Sequence, residues 1–309
     1  MIRRAKLQDI RAIGELFRSR IESWQRMNAD GSVQTVDYAA LNIYEQWGHG
    51  GAWMNDQTAT LWLSHVLRGA GAPTVLTDDD GQLLAYSEVF IGDEPTPFGK
   101  HTHIGTLITQ IGFADMRDAL MQHLLREASS IGQISVNLST YDEDGISFYN
   151  RYGLVSTERI ARYNISTQIG QGFYKVTDHN DTNAAQIQGW HMLTGRTSNA
   201  RQQWEMQWTA LWNAVDEIAA EPVLRVRLSA SGQEAFVCLK QDLYDSRLAE
   251  IYCWSNKPMS SALLVALRDW AHRGGYRTLS LWGDASVGKV MGNEAETTTQ
   301  QRVILMRGV

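Results

Sequence analysis

The chain has 309 residues, of which 43% are hydrophobic and 20% charged, and its formal net charge is −6. That length is about twice an ordinary domain, so two domains are expected, and the balance of apolar and charged residues excludes a disordered chain. The acidic surplus argues against nucleic acid or an anionic membrane as a partner.

The first segment, MIRRAKLQDIRAIGELF, is too charged for a signal peptide, and no run of 18 apolar residues occurs, so a cytoplasmic location is expected. Residues 2–5 read as a short strand. Asp9 then opens a helix in which Ile10, Ile13, Phe17, Ile21 and Trp24 recur at steps of three and four, marking one buried face. Residues 28–32 (NADGS) form a turn, and the chain to Gly51 reads as irregular. A helical pattern returns over 56–68. Strands at 74–77 and 82–90 flank the turn DDDG and form a hairpin. Beyond Pro95 and Pro97, residues 101–108 read as a strand and 116–129 as a helix with Leu120, Met121, Leu124, Leu125 and Ala128 on one side. A strand at 134–138, a short helix at 147–152 and a strand at 159–165 complete this half.

The second half replays the order. Residues 173–177 read as a strand, and Asp181 opens a helical stretch containing Ile187 and Trp190. Trp204, Trp208, Leu211, Trp212, Val215 and Ile218 form a helical stripe, read as core rather than as an aromatic binding box. Strands at 223–228 and 234–240 flank the turn SASGQ. Residues 249–254 follow as a strand, 260–273 as a helix and 278–282 as a strand. Two local echoes fall at matching places: DGQLLAYSEV with SGQEAFVCLK, and ALMQHLLREA with ALLVALRDWA. Duplication accounts for both, with the boundary in the polar, Gly-rich run STQIGQG at 166–172. Cys238 and Cys253 lie in strand-like runs and read as reduced core residues; no metal site is expected.

The element order β–α–α–β–β–β–α–β–α–β in each half resembles the GNAT superfamily of N-acetyltransferases. In the first half the resemblance extends to a motif. ISFYNRYGLVSTERIARYNI is similar to the family's fourth helix and last strands, where FYxxxGF is usual, and here runs from Phe148 and Tyr149 to Gly153 and Leu154. The implied fold is α/β (α+β). It consists of two tandem acyl-CoA N-acyltransferase-like domains, 1–168 and 172–309, each a twisted mixed sheet flanked by helices.

The resemblance implies acetyl-CoA as cosubstrate, lying where the strands ending near Leu107 and Leu138 splay apart. Its diphosphate would rest on N–H groups at the start of the next helix, where unpaired donors and the helix dipole favour an anion. The loop Gln110-Ile111-Gly112-Phe113-Ala114 is one residue shorter than the family's Gln/Arg-x-x-Gly-x-Gly/Ala. Leu107, Thr109, Gln110, Gly112, Phe113 and Ala114 are thus the candidate cofactor residues. Asp142 joins them, standing where many relatives carry a cofactor-contacting Asn. Asp115 and Asp118 in the following helix compete with a phosphate for the same N–H groups, and Asp115 reads equally as an N-cap. In the second half the matching loop, Ser255-Asn256-Lys257-Pro258-Met259, has no glycine, and no tyrosine follows the last strand. That half reads as a degenerate copy.

Transfer to an amine needs a base for the amine proton and an acid for the departing thiolate. Tyr149 matches the family position that supplies the acid, and reads alternatively as a packed neighbour of Phe148. His101 and His103, two apart on one strand, face the same side, and an unperturbed imidazole titrates near neutral pH. The pair resembles the His-x-His of arylalkylamine N-acetyltransferases, where the amine proton is taken through water. Two half-exposed strand histidines are the bland alternative, and Glu88 is the reserve base. The acceptor is an amine of a small molecule or peptide, approached past residues 27–51, where Trp47 and Trp53 suit an apolar or cationic group. Two functions follow: an N-acetyltransferase, or a non-catalytic tandem pseudo-acetyltransferase that binds acyl-CoA or a protein partner.

Overall fold

The structure, a computed structural model, describes residues 1–28, 30–220, 222–242 and 245–308. In chain order its elements begin with β1 (Ile2–Arg4), α1 (Ile10–Arg18), β2 (Gln25–Met27), β3 (Val33–Thr35), α2 (Ile43–Gly48) and α3 (Asp56–His65). Next come β4 (Ala72–Thr77), β5 (Leu83–Glu94), β6 (Gly99–Thr109), α4 (Ala114–Ala128), β7 (Gln133–Ser139), α5 (Glu143–Arg151) and β8 (Val155–Ser166). The rest are β9 (Tyr174–Asp178), β10 (His191–Thr194), α6 (Ala200–Gln207), α7 (Asp216–Ala219), β11 (Val223–Ala230), β12 (Gln233–Gln241), β13 (Leu248–Ser255), α8 (Ser261–Arg273), β14 (Thr278–Asp284), α9 (Ala285–Met291) and β15 (Ala295–Gly308).

The chain forms two compact units, and β5 and β6 run through both. Unit 1 comprises Met1–Val89, Thr106–Glu127 and Leu211–Ala220. Its hairpin turns where expected: Gln82 N donates to Asp78 Oδ1 at 2.7 Å, and β4 then pairs antiparallel with β5. β1 pairs with β4, setting Ile2 opposite Leu76. Helix α1 stops at Arg18 rather than continuing to Trp24, and β2 and β3 pair antiparallel; the NADGS turn expected between them includes residue 29, which lies outside the described residues. The stretch read as irregular contains α2. Asn42 starts it with a reciprocal capping box, its side chain accepting from Glu45 N while the Glu45 carboxylate accepts from Asn42 N.

Unit 2 comprises Phe90–Gly105, Ala128–Ala210 and Glu221–Val309. Its strands lie in the order β6-β7-β15-β8-β14-β13-β12-β11-β9, with β10 on β13. Side chains alternate across this sheet, so the two faces bury different sets. Val237, Leu239, Ile251 and Cys253 pack with Leu263, Leu264 and Leu267 of α8. Phe236, Cys238, Tyr252 and Trp254 pack with Trp204 of α6 and with Trp208, which caps its C-terminus. Trp204, Trp208, Val215 and Ile218 are core, as their spacing implied, but the stripe does not stay on one helix: α6 ends at Gln207, and Leu211 and Trp212 are only half-buried.

The last strand is the main topological finding. β15 pairs antiparallel with β7 along one edge, from Arg302↔Ser139 to Gly308↔Gln133, and with β8 along the other. The far edge of β8 carries β14, from Thr278↔Ser166 to Asp284↔Ile160. The end of the chain therefore lies between two strands of the first sequence half, and one of those strands lies against the second.

Candidate active site

Two parallel joints stand among the antiparallel pairings of unit 2. β6 meets β7 through Thr102↔Ile134, His103↔Ser135 and Ile104↔Val136. β13 meets β14 through Leu248↔Thr278, Ala249↔Leu279 and Glu250↔Ser280. Each joint covers three residue pairs, although the strands run further. At the β13–β14 joint the strands beyond are bridged by β10. It pairs with β13 at His191↔Ser255, Met192↔Trp254 and Thr194↔Cys253. On the other side Gly195 N donates to Trp282 O of β14 at 2.8 Å, while Thr194 Oγ1 donates back to Ile251 O of β13 at 2.9 Å. Only glycine serves at 195: φ is +83°, and a Cβ would lie 2.3 Å from the Tyr252 ring. The loop after β13 is tied down as well. Gln233 Nε2 donates to Ser255 Oγ, Lys257 O and Pro258 O, and its Oε1 accepts from Ser260 Oγ.

In unit 1, the loop from Gln110 to Ala114 turns tightly. Gln110 N donates to Leu84 O, Phe113 N to Gln110 O and Met116 N to Phe113 O. Gly112 has φ +90° and nothing within 4 Å of where a Cβ would stand, so a ligand can approach its backbone. Ile111 and Phe113 are exposed beside it. Thr109 is buried, its carbonyl accepting from Arg20 Nη2, and Leu107 packs with Leu76, Leu84 and Leu120.

Asp142 and Tyr149 belong to unit 2. Asp142 Oδ1 accepts from Gly145 N at 2.9 Å and so N-caps α5, as an Asp there readily does. Tyr149 is only 3% exposed, its ring 5.0 Å from and nearly perpendicular to that of Phe148.

The His-x-His pair is also buried, 1% exposed at His101 and 2% at His103, rather than half-exposed. His101 Nδ1 donates to Gly99 O at 3.0 Å, and its Nε2 lies 3.9 Å from Glu94 Oε1. Burial lowers the pKa of His101, while the Glu94 carboxylate and Gly99 carbonyl oppose the shift. His103 Nδ1 lies 2.9 Å from Ser135 Oγ. Burial holds its pKa well below the ordinary range, and the charges of His101, Arg196 and Arg302 push the same way. Of the two, His101 is the better proton acceptor, because only it has a carboxylate to steady the imidazolium.

Glu94 organises this cluster. Its Oε2 pairs with Arg196 Nη2, and its Oε1 accepts from Ala200 N at 3.0 Å at the start of α6. Burial alone would raise its pKa, but Arg196, His101 and the Ala200 N–H outweigh burial and hold it below normal. Arg196 also stacks its guanidinium 4.4 Å above the Phe98 ring, and its carbonyl accepts from Asn137 Nδ2. In unit 1, Glu88 is no solvent-facing base. Trp53 Nε1, Trp62 Nε1 and Tyr86 Oη all donate to its buried carboxylate, whose pKa burial raises. Trp53 stacks on Phe17 inside the core, and Trp47 packs on Trp212.

Sequence reading did not single out Glu94, Arg196, Asn199 or Gln202. The available signal was two glycines inside strands, at 92 and 105, since such a glycine marks close approach of another segment. A Cβ at Gly92 would lie 2.5 Å from His101 Cε1 and 2.8 Å from Asn199 Nδ2. Among the described residues, no group of three or more His, Cys, Asp or Glu is placed to hold a metal, and no helix is long and apolar enough to cross a membrane.

A mixed sheet flanked by helices, with parallel joints set among antiparallel strands, is the fold type of acyl-CoA N-acyltransferases. Solved structures bear this out over the whole chain. An Enterococcus faecalis V583 protein designated a probable N-acyltransferase matches with TM-score 0.54 and 11% identity, over 100% of this chain and 72% of its own. A candidate acetyltransferase of Pyrococcus horikoshii matches with TM-score 0.51 and 11% identity, over 100% and 89%. Another from Thermoplasma acidophilum matches with TM-score 0.50 and 11% identity, over 100% of both chains. At that identity the likeness is one of fold. No protein-family model and no curated protein matches the sequence.

Proposed function

We propose that the chain is an N-acetyltransferase that moves an acetyl group from CoA to an amine of a small molecule or peptide. The half at 1–168 carries the chemistry, and the half at 172–309 is a copy that no longer binds CoA. The contrast between the two joints carries this reading: β10 occupies the opening beyond β13 and β14, and Gln233 ties the loop that would face a diphosphate. The first half's loop instead keeps Gly112 with open space at its backbone.

Acetyl-CoA supplies an acyl group activated as a thioester. Leu107, Thr109, Gln110, Gly112, Phe113 and Ala114 would hold it, with Asp142 acting on the site through the cap it gives α5. As the N–C bond forms, the amine proton passes to His101, directly or through water, with His103 packed behind. As the C–S bond breaks, Tyr149 gives its phenol proton to the sulfur. Burial serves the base, because it lowers the pKa of His101 and keeps it neutral and ready to accept. Release of CoA thiol from acetyl-CoA, followed across a panel of amines, tests the proposal.

One observation favours the binding-only reading. The environment of His103 resists a proton strongly, and both imidazoles are sealed from solvent. Tight acetyl-CoA binding with no thiol release for any amine would support that reading instead.

A further inference from the structure

We propose that Gln202, on the first turn of α6 in the second sequence half, is an acceptor-binding residue of the first half's site. Its amide oxygen takes an N–H of the incoming amine. The assignment rests on the acetyltransferase reading above and adds a recognition element to it.

Gln202 is 7% exposed, and its Oε1 is buried with no hydrogen-bond partner. Buried amide oxygens are rarely left so, and one that is asks for a partner from outside the chain, a water or a ligand. Its placement argues for a ligand. The side chain lies flat over Gly105, where a Cβ would meet Oε1 at 2.5 Å, Nε2 at 2.7 Å and Cδ at 2.8 Å. Gly105 is the first residue of β6 beyond its parallel joint with β7. The two residues before it in alternation are His103 and His101. A side chain at 105 would exclude Gln202; glycine admits it.

The turn that carries Gln202 is held firmly. Asn199 Oδ1 accepts from Gln202 N at 2.9 Å, and the Glu94 carboxylate accepts from Ala200 N. Asn199 Nδ2 also donates to Phe90 O, over the side-chain-free Gly92. The amide oxygen is therefore positioned by the backbone of α6 and does not need a flexible side chain to find its place.

The surrounding charges define the ligand. An amide oxygen only accepts, so its partner must donate. The nearby Arg196 and Glu94 compensate each other, and burial keeps the histidines neutral. The further charge acting on His103, that of Arg302, is positive and disfavours an ammonium ion. A neutral primary amine fits: one N–H goes to Gln202 Oε1 and the nitrogen lone pair stays available for attack. The second half would thus have lost its own cosubstrate slot and kept a part in the acceptor site of the first.

The test compares Gln202→Met, which keeps shape and loses the acceptor, with Gln202→Glu, which keeps an acceptor oxygen. Thiol release from acetyl-CoA is measured with ethylamine, phenethylamine, spermidine and a dipeptide as acceptors, alongside the melting temperature of each variant. Gln202→Met should raise KM for the best amine about 10- to 30-fold, the loss of one buried hydrogen bond, with KM for acetyl-CoA within about twofold. Gln202→Glu should stay within about threefold of wild type for the amine. An unchanged amine KM in Gln202→Met overturns the assignment. So does an equal rise in both KM values, or equal amine losses in the two variants, since these mark a structural role. Wild-type protein that binds acetyl-CoA and acetylates none of the amines overturns the acetyltransferase reading itself, and this assignment with it.

Discussion

Glu94→Ala is the perturbation whose cost the structure specifies best. The side chains of Glu94 and Arg196 are 1% and 7% exposed, and the carboxylate also receives the Ala200 N–H at the head of α6. Removing it leaves Arg196 buried beside Phe98 without a counter-charge, and such a half-broken buried pair costs about 3–5 kcal/mol. With an unfolding entropy of about 2.1 cal/mol/K per residue, a 309-residue chain melting as one unit loses about 5–8 °C. Differential scanning calorimetry at pH 7 reads this directly. The pH dependence adds a second arm. The folded Glu94 carboxyl titrates below its unfolded value, so its stabilisation is complete above the ordinary carboxylate range and fades as pH falls through the lowered folded value. Glu94→Ala should lack that acid-side slope. The double variant Glu94→Leu/Arg196→Met should be less destabilised than the sum of its single changes, because no lone charge remains. A Glu94→Ala melting point within about 1 °C of wild type, or an additive double variant, would refute the reasoning.

Three further outcomes are expected. Tyr149→Phe keeps the ring against Phe148 and removes only the proton donor, so kcat should fall about 10²–10⁴-fold with little change in acetyl-CoA affinity, measured by steady-state kinetics where chemistry limits the rate. The acid limb of the rate–pH profile should lie below pH 6.5, because burial lowers the pKa of His101 and the base works only when neutral. His101→Gln should flatten that limb and His103→Gln should leave it largely in place. Trp53→Phe deprives Glu88 of one of three buried donors and should cost about 1–3 kcal/mol in urea unfolding, more than an equivalent change at the half-buried Trp47.

Much of the fold was legible because its signals are local. The DDDG and SASGQ turns fixed two hairpins, and the periodicity of α4 fell on one buried face, with Leu120, Met121, Leu124 and Ala128 in the core. What escaped was held by distant partners. β10 is four residues, HMLT, with no periodicity long enough to read, and it becomes a strand only by entering the gap beyond β13 and β14. β15 carries the polar run ETTTQQ ahead of VILM, and its pairing with β7 lies more than 160 residues away. The site shows the same division. The FYxxxGF-like run and the His pair could be found as motifs, but their burial could not. The Glu94–Arg196 pair spans 102 residues and left only Gly92 and Gly105 as traces.

The central claim is that the chain binds one acetyl-CoA, at the first half's loop, while the second half's opening is closed by β10. Isothermal titration with acetyl-CoA, and with desulfo-CoA as a control for the thioester, measures this directly. One site per chain is expected. Gly112→Val, which forces a bulky residue into φ +90° and covers the exposed backbone, should weaken that site strongly, and Lys257→Ala should leave it unchanged. Two sites per chain, or a single site weakened by Lys257→Ala and indifferent to Gly112→Val, would contradict the account.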